Sequence, residues 1–118
     1  MEQKEFLIRG GIYLARLDPA KASEVGKIRP VVILTAQLYL EINSPLVFIC
    51  PLSSQSQPEF NKLHIKLPAR DKLLVESFAL VEHCRAISIK RIIHPKLAQL
   101  NSVELKAVLH CLKLMVDI

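Results

Sequence analysis

The 118-residue chain contains no tryptophan and only three cysteines, and none of its apolar runs is long enough to cross a membrane. The densest apolar stretch, residues 31–40, is interrupted by Thr35 and Gln37 and falls far short of the ~20 residues that a transmembrane helix needs. An odd number of cysteines without C-x-x-C spacing predicts neither a disulfide framework nor a zinc knuckle. We therefore expect no membrane association and no bound metal.

Two histidines each precede a cysteine directly, at positions 83–84 and 110–111. Such pairs look like metal ligands, but adjacent residues of a strand point to opposite faces of the sheet. We predict small buried thiols beside partly exposed histidines.

Several familiar signals are also missing. The first eleven residues, MEQKEFLIRGG, are charged and lack the apolar segment of a secretory signal, so we expect a cytoplasmic protein. The glycine-rich phosphate loops, the G-x-S-x-G nucleophile elbow and the H-E-x-x-H zinc motif do not occur. These absences remove the common nucleotide-binding, hydrolase and metalloprotease interpretations.

Apolar residues make up 51% of the chain, and the net charge is +5. That apolar content excludes a disordered chain, and the length fits one domain spanning residues 1–118. The positive charge indicates an anionic partner, either nucleic acid or an acidic protein. The apolar excess indicates that some surface is buried against a second subunit.

The pattern along the chain predicts a mainly β (α+β) fold, in which short strands form a small barrel and one helix follows at the C-terminus. We also predict a long loop over residues 20–27, a helical turn within residues 37–44, and outward-facing side chains at Lys62, His64 and Lys66. Strands are predicted at residues 8–17, 29–35, 45–52, 60–67, 73–80 and 85–93.

The last segment changes to helical periodicity. Asn101 is a suitable N-cap, and Glu104 stands at the position that completes a capping box. The apolar stripe beyond it is wider than one core-facing side requires, so we expect the helix to pack on the sheet and also to meet a partner subunit. The stripe consists of Leu105, Val108, Leu109, Leu112, Met115 and Val116.

Polar residues stand at the ends of several predicted strands, where a rigid scaffold presents side chains to a ligand. Arg29 begins one strand, Ser53 ends another, and Glu82 follows a third. An arginine binds phosphate oxygens, a hydroxyl adds a hydrogen bond and a carboxylate accepts a proton, so together they suit a phosphodiester. Each residue also has a purely structural interpretation. Arg29 can be a solvated surface charge, Ser53 can form the turn after its strand, and Glu82 can pair with Arg85. These residues alone indicate a small basic β-rich domain with nucleic acid as one candidate ligand.

Three blocks of the sequence resemble the MazF/PemK-type mRNA interferases, the toxins of bacterial toxin–antitoxin pairs. The blocks are RGGIYLARLDPAKASEVGKIRPVVILT (residues 9–35), CPLSSQ (residues 50–55) and LVEHCRAISIKRI (residues 80–92), in the family's order and spacing. The resemblance implies an SH3-like, CcdB/PemK-toxin-like barrel with a C-terminal helix, working as a homodimer. It also implies an acidic antitoxin partner and metal-independent, sequence-specific cleavage of single-stranded mRNA, which leaves 2′,3′-cyclic phosphate and 5′-hydroxyl ends.

The resemblance also assigns roles to individual residues. It matches Arg29 to the family's catalytic arginine, Ser53 to its catalytic threonine and Glu82 to an acidic position at the rim of the active site. From the chemistry of the reaction we expect all three to be catalytic: Arg29 stabilises the charge on the phosphorus centre and donates a proton, Ser53 holds a phosphate oxygen, and Glu82, or else His83, accepts a proton. The residues that the resemblance places against RNA are Ser23, Glu24, Gln55 and His83.

The sequence departs from the family pattern at a few positions. Gly11 replaces an acidic residue, Ala22 replaces a glycine, and His83 replaces the usual glutamine. Leu80 stands where one branch of the family carries a catalytic arginine, so that branch's mechanism does not transfer. Two alternatives therefore stay open: a CcdB-like inhibitor of DNA gyrase that cleaves nothing, and a weakly active member that binds RNA or antitoxin.

Overall fold

A computed structural model describes residues 6–18, 27–56 and 58–117. Within these residues the chain forms one mainly antiparallel sheet, a short helix and a longer C-terminal helix. The strands are β1 (Gly11–Arg16), β2 (Ile28–Ile33), β3 (Leu46–Ser53), β4 (His64–Leu67), β5 (Ser77–Leu80), β6 (Arg85–Ser88) and β7 (Ile92–Gln99), and the helices are α1 (Gln37–Leu40) and α2 (Ser102–Met115).

Strand β3 is the centre of the sheet. The strand order is β4-β5-β3-β2-β1-β7, and β6 pairs with β3 beside that path. One edge of β3 pairs with β2, while its other edge pairs first with β6 and then, at Leu52 and Ser53, with β5. Because two strands share that edge, the sheet bends around β3, in agreement with the predicted mainly β fold.

Alternating side chains of the central strands enter two apolar layers. Val31 and Ile33 point into a cluster on one face, and Val32 between them points into the other. The second cluster is closed by Val108 and Cys111 of α2, which confirms that the helix packs on the sheet. None of the described helices is both long and apolar enough to span a membrane.

Helix α2 begins as its sequence predicts. The Asn101 side chain accepts from the Glu104 backbone N–H at 2.8 Å, and the Glu104 carboxylate accepts from the Asn101 N–H at 3.0 Å, which completes the capping box. Arg70, in the loop after β4, makes a bidentate ion pair with the same carboxylate. The predicted stripe is only partly buried, since Met115 and Val116 are exposed near the helix end.

The predicted strand at residues 60–67 is half wrong. Pro58–Leu63 forms a 3-10 helix, and the strand begins only at His64. His64 does not face solvent: its side chain is 6% exposed and pairs with Glu82. Lys62 and Lys66 are exposed, as predicted. The alternation of polar and apolar residues predicts an outward-facing His64 side chain, because the local pattern does not reveal its pairing with Glu82, which is distant in the sequence.

Two further strand predictions need correction. The segment predicted as a strand at residues 73–80 becomes a strand only at Ser77. The segment at residues 85–93 is two strands, because the Ser88 hydroxyl accepts from the Lys90 N–H at 3.3 Å and turns the chain through Ile89–Arg91. Strand β7 then continues through Pro95, which an edge strand with an irregular register tolerates because no ladder bond needs a donor there.

Candidate active site

A cavity of about 490 Å³ lies where the start of β2 meets the end of β3. Arg29 reaches it from β2, and Ser53 reaches it from the last position of β3. The structure therefore brings together the arginine and the hydroxyl that the sequence predicts to act on one phosphate. Both side chains are half-buried, so each is held by its strand and still open to a ligand.

The remaining residues that line the cavity include apolar and positively charged side chains. Leu14 from β1 and Leu97 from β7 line it, and so do Lys27 and Lys72. Among the described residues, no carboxylate lines it. Arg29, Lys27 and Lys72 together give the cavity a positive potential that attracts a polyanion.

Ser53 also shapes the turn that follows it. Its hydroxyl oxygen accepts from the backbone N–H of Gln55 at 3.1 Å. The hydroxyl proton stays available for donation to a phosphate oxygen. Gln55, predicted to contact RNA, is exposed directly beside this serine.

Glu82 belongs to a second polar group next to that turn. The Nε2 atom of His64 lies 2.8 Å from Oε2 of Glu82, and its Nδ1 atom lies 2.5 Å from the Ser56 hydroxyl oxygen. Since an ionised carboxylate only accepts, Nε2 of His64 donates to Glu82, and Nδ1 shares the second hydrogen bond with the Ser56 hydroxyl. A chain of hydrogen bonds thus connects Glu82 to residues 53–56.

The other predicted site residues either do not line the cavity or lie outside the described residues. Glu82 and His83 are on the 3-10 turn Val81–His83, and neither lines the cavity. Ser23 and Glu24 lie outside the described residues, as does Ala22. Sequence analysis missed Lys72, which stands in a turn without a recognisable motif.

The cysteines are close to one another inside the fold. A hydrogen bond to the Cys84 thiol, together with burial, raises the pKa of Cys50 well above its ordinary value, and burial raises the pKa of Cys111. Cys50 and Cys111 are buried and Cys84 is half-buried. The raised pKa values keep the thiols of Cys50 and Cys111 protonated at neutral pH. No group of three or more histidine, cysteine or acidic side chains in the described part of the chain is arranged to hold a metal ion.

Two departures from the family pattern have a local explanation. A Cβ atom at Gly11 would lie 2.8 Å from the Ile8 carbonyl oxygen and 2.9 Å from the Tyr13 ring, so this backbone has no room for an acidic side chain. Leu80 is buried with the core. Neither residue lines the cavity that holds Arg29 and Ser53.

Fold and cavity together define a small β protein with a cationic cavity at its strand ends. Comparison with known families makes this more specific: residues 8–116 match the PemK-like, MazF-like toxins of type II toxin–antitoxin systems. The match covers nearly the whole chain, which therefore belongs to this family.

Individual relatives agree with this assignment. The endoribonuclease MazF of Staphylococcus saprophyticus is 33% identical over 104 residues, covering 85% of this chain and 82% of the relative. The crystal structure of MazF from Deinococcus radiodurans superposes with a TM-score of 0.84 at 22% identity, covering 98% of this chain and all of that one. A MazE–MazF structure from the same organism has a TM-score of 0.73 at 19% identity, covering 97% and 99% of the two chains.

Proposed function

We propose that this chain is an endoribonuclease, the toxin of a type II toxin–antitoxin pair, which cuts single-stranded messenger RNA in the cytoplasm. The observation that carries the proposal is that Arg29 and Ser53 line one cationic cavity at the strand ends. The name of the staphylococcal relative supports the same activity.

The proposed reaction is an internal displacement at phosphorus. The ribose 2′-oxygen forms a bond to phosphorus while the bond from phosphorus to the 5′-oxygen breaks, giving a 2′,3′-cyclic phosphate. One proton leaves the 2′-hydroxyl and one reaches the departing 5′-oxygen. No metal is required for these transfers.

In this reaction Arg29 stabilises the negative charge that builds on the phosphate oxygens, and Ser53 donates to one of them. Arg29 also supplies the proton to the departing oxygen. Glu82 stays the predicted acceptor of the 2′-hydroxyl proton, and the His64 ring holds its carboxylate in place. Gln55 and His83 are the proposed contacts to the neighbouring bases, and Ser23 and Glu24 are proposed to contact the RNA from their loop.

Two protein partners belong to the proposal. An acidic antitoxin suits the +5 chain and a cavity that no carboxylate in the described part of the chain lines, and the Deinococcus relative has been solved with MazE. A homodimer is supported by exposed apolar side chains at the end of α2, where Leu114 is 63% exposed and Val116 is 53% exposed. A single molecular mass of one chain in light scattering at micromolar concentration would contradict the dimer.

The decisive experiment is incubation of mixed-sequence single-stranded RNA with the wild type and with Arg29→Ala, both in EDTA. We expect cleavage at a recurring short motif with cyclic phosphate ends, reduced ~10²–10³-fold in the variant. Lys106→Ala, an exposed change on α2 outside the cavity, is the matched control and keeps full activity.

Other results would overturn the proposal in distinct ways. Intact RNA would indicate a toxin that binds without cutting, and inhibition of DNA gyrase would then identify the CcdB-like alternative. Cleavage that Arg29→Ala leaves unchanged would place the chemistry elsewhere.

A further inference from the structure

We infer that Lys72 binds a second phosphate of the RNA strand, next to the one held by Arg29 and Ser53, and so sets how the strand lies in the cavity. This inference rests on the proposed function and concerns a residue for which the family motifs assign no role. Lys72 lies in the loop between β4 and β5, whereas Arg29 and Ser53 lie on β2 and β3. Lys72 therefore lines the same cavity as Arg29 from a different element of the fold.

Lys72 is exposed and lines two cavities. Its neighbour Asp71 lines only the smaller one, whereas no carboxylate among the described residues lines the cavity that holds Arg29 and Ser53, so an external anion meets only positive charge there. Lys66 is different, since its ammonium lies 3.6 Å from Glu76. An ammonium on a flexible stem binds phosphate as a point charge, without demanding one orientation of the oxygens.

The backbone beneath Lys72 is fixed. Its N–H donates to the Leu97 carbonyl of β7 at 3.0 Å. On either side of it, Arg70 and Leu73 exchange two backbone hydrogen bonds of 2.9 and 2.8 Å, closing a tight turn in which Asp71 adopts a positive φ of 47°. The lysine is thus presented from a rigid turn.

A second anchor ties this turn to the rest of the protein. The Arg70 guanidinium makes the bidentate ion pair with Glu104, and Glu104 is itself held by the N-cap of α2. The turn is therefore attached to both β7 and the start of the helix. A side chain that binds a mobile strand contributes most when its own backbone loses no freedom on binding.

The same loop supplies an apolar surface beside the lysine. Leu74 is 82% exposed and Val75 is 59% exposed, and both line the cavity. A phosphate on Lys72 would bring the attached ribose and base against these side chains. This combination of a cation and an apolar face suits a nucleotide and favours RNA as the occupant.

The test is equilibrium binding of a mixed-sequence 2′-O-methyl RNA oligonucleotide, which has no free 2′-hydroxyl to attack. Fluorescence anisotropy at several salt concentrations is compared for the wild type, Lys72→Gln and Lys72→Arg. One lost phosphate contact lowers the magnitude of the slope of log K against log salt by about 0.7 for a single strand. If the wild type and Lys72→Gln bind the RNA equally tightly near 1 M salt, this difference in slope makes the variant bind about fivefold more weakly than the wild type at 0.1 M salt. Lys72→Arg keeps the charge and the slope.

Lys106→Gln serves as the control for a lost surface charge and leaves the slope unchanged. Cleavage of ordinary RNA is followed in parallel, and we expect Lys72→Gln to raise KM with kcat close to that of the wild type. A lower kcat with an unchanged salt slope would overturn the inference.

Failure of this inference is distinguishable from failure of the proposed function. An unchanged slope in Lys72→Gln, alongside Arg29-dependent cleavage by the wild type, overturns the inference alone. Absence of both RNA binding and cleavage in the wild type overturns the proposed function and the inference with it. Loss of affinity for an acidic antitoxin peptide, with RNA binding intact, assigns Lys72 to the protein partner and also overturns the inference.

Discussion

The Nε2 atom of His64 lies 2.8 Å from Oε2 of Glu82, although the two residues come from β4 and from the turn before β6. The opposite ring nitrogen lies 2.5 Å from the Ser56 hydroxyl oxygen. One imidazole therefore connects the predicted proton acceptor with the loop that begins at the predicted phosphate ligand, Ser53. The positions of Glu82 and of this loop depend on each other.

Glu82→Gln tests this connection. The change removes the charge that the His64 N–H faces, so we expect the free energy of unfolding to fall by about 1–3 kcal/mol. Cleavage also falls, and the pH dependence of its rate separates the two contributions: a proton acceptor alters the acidic limb of the profile, whereas a purely structural role scales all rates equally. His64→Gln, which lowers stability but retains Glu82, is the companion variant.

Ser53→Ala and Ser53→Thr separate the hydroxyl from the shape of the side chain. Alanine removes both the acceptor for the Gln55 N–H and the donor to phosphate, so we expect the cleavage rate to fall ~10²-fold or more. Threonine keeps the hydroxyl and restores most of the rate. Single-turnover rates with a defined RNA measure both, and equal loss in the two variants would show that the hydroxyl is not the active feature.

Glu104 predicts how stability depends on acid. The hydrogen bond from Arg70, with a weaker one from the Asn101 backbone, lowers the pKa of this carboxyl in the folded protein. The stabilisation is therefore complete above the ordinary pKa of about 4.3 and is lost as the pH falls through the lowered folded value. Glu104→Gln should cost about 1–3 kcal/mol at pH 7, and the difference from the wild type should shrink toward zero in strong acid.

Thermal unfolding across the acidic range measures this difference. Glu76→Gln is the matched control, because its exposed pair with Lys66 contributes at most about 1 kcal/mol. A Glu104→Gln deficit that persists unchanged in strong acid would contradict the ion-pair explanation.

Gly11→Asp restores the acidic residue of the family pattern and should nevertheless be harmful. The new Cβ atom would lie 2.8 Å from a backbone oxygen, which cannot move without shifting the start of β1. We expect a loss of about 1–3 kcal/mol in the free energy of unfolding, measured by urea denaturation, with no gain in cleavage. Increased activity would instead show that Gly11 weakens the site.

Periodicity and strand-end chemistry predicted much of this structure. The continuous apolar run before Ser53 is strand β3, and the capping box at Asn101 begins α2, because both signals are local. Arg29 and Ser53 meet because each stands at the end of a strand in the same ladder. The bounds of β3 and the start of α2 are set by residues close together in the sequence, and the position of each site residue at a strand end is predicted in the same local way.

The errors lie where distant residues decide the outcome. His64 alternates like an exposed strand residue, but Glu82, in the turn after β5, pairs with its ring. The turn after Ser88 depends on one side-chain hydrogen bond, so residues 85–93 resemble a single strand. Lys72 enters the cavity only because Leu97 and Glu104 fix its turn, and no spacing along the sequence predicts those contacts.

Strand β1 pairs with β7, so the first and last strands of the sheet are neighbours. A ribosome releases β1 long before β7 exists, and the cavity takes Leu14 from one and Leu97 from the other. A nascent or prematurely ended chain therefore lacks one wall of its site. The cavity is therefore complete only once synthesis has passed β7 and that strand has paired with β1.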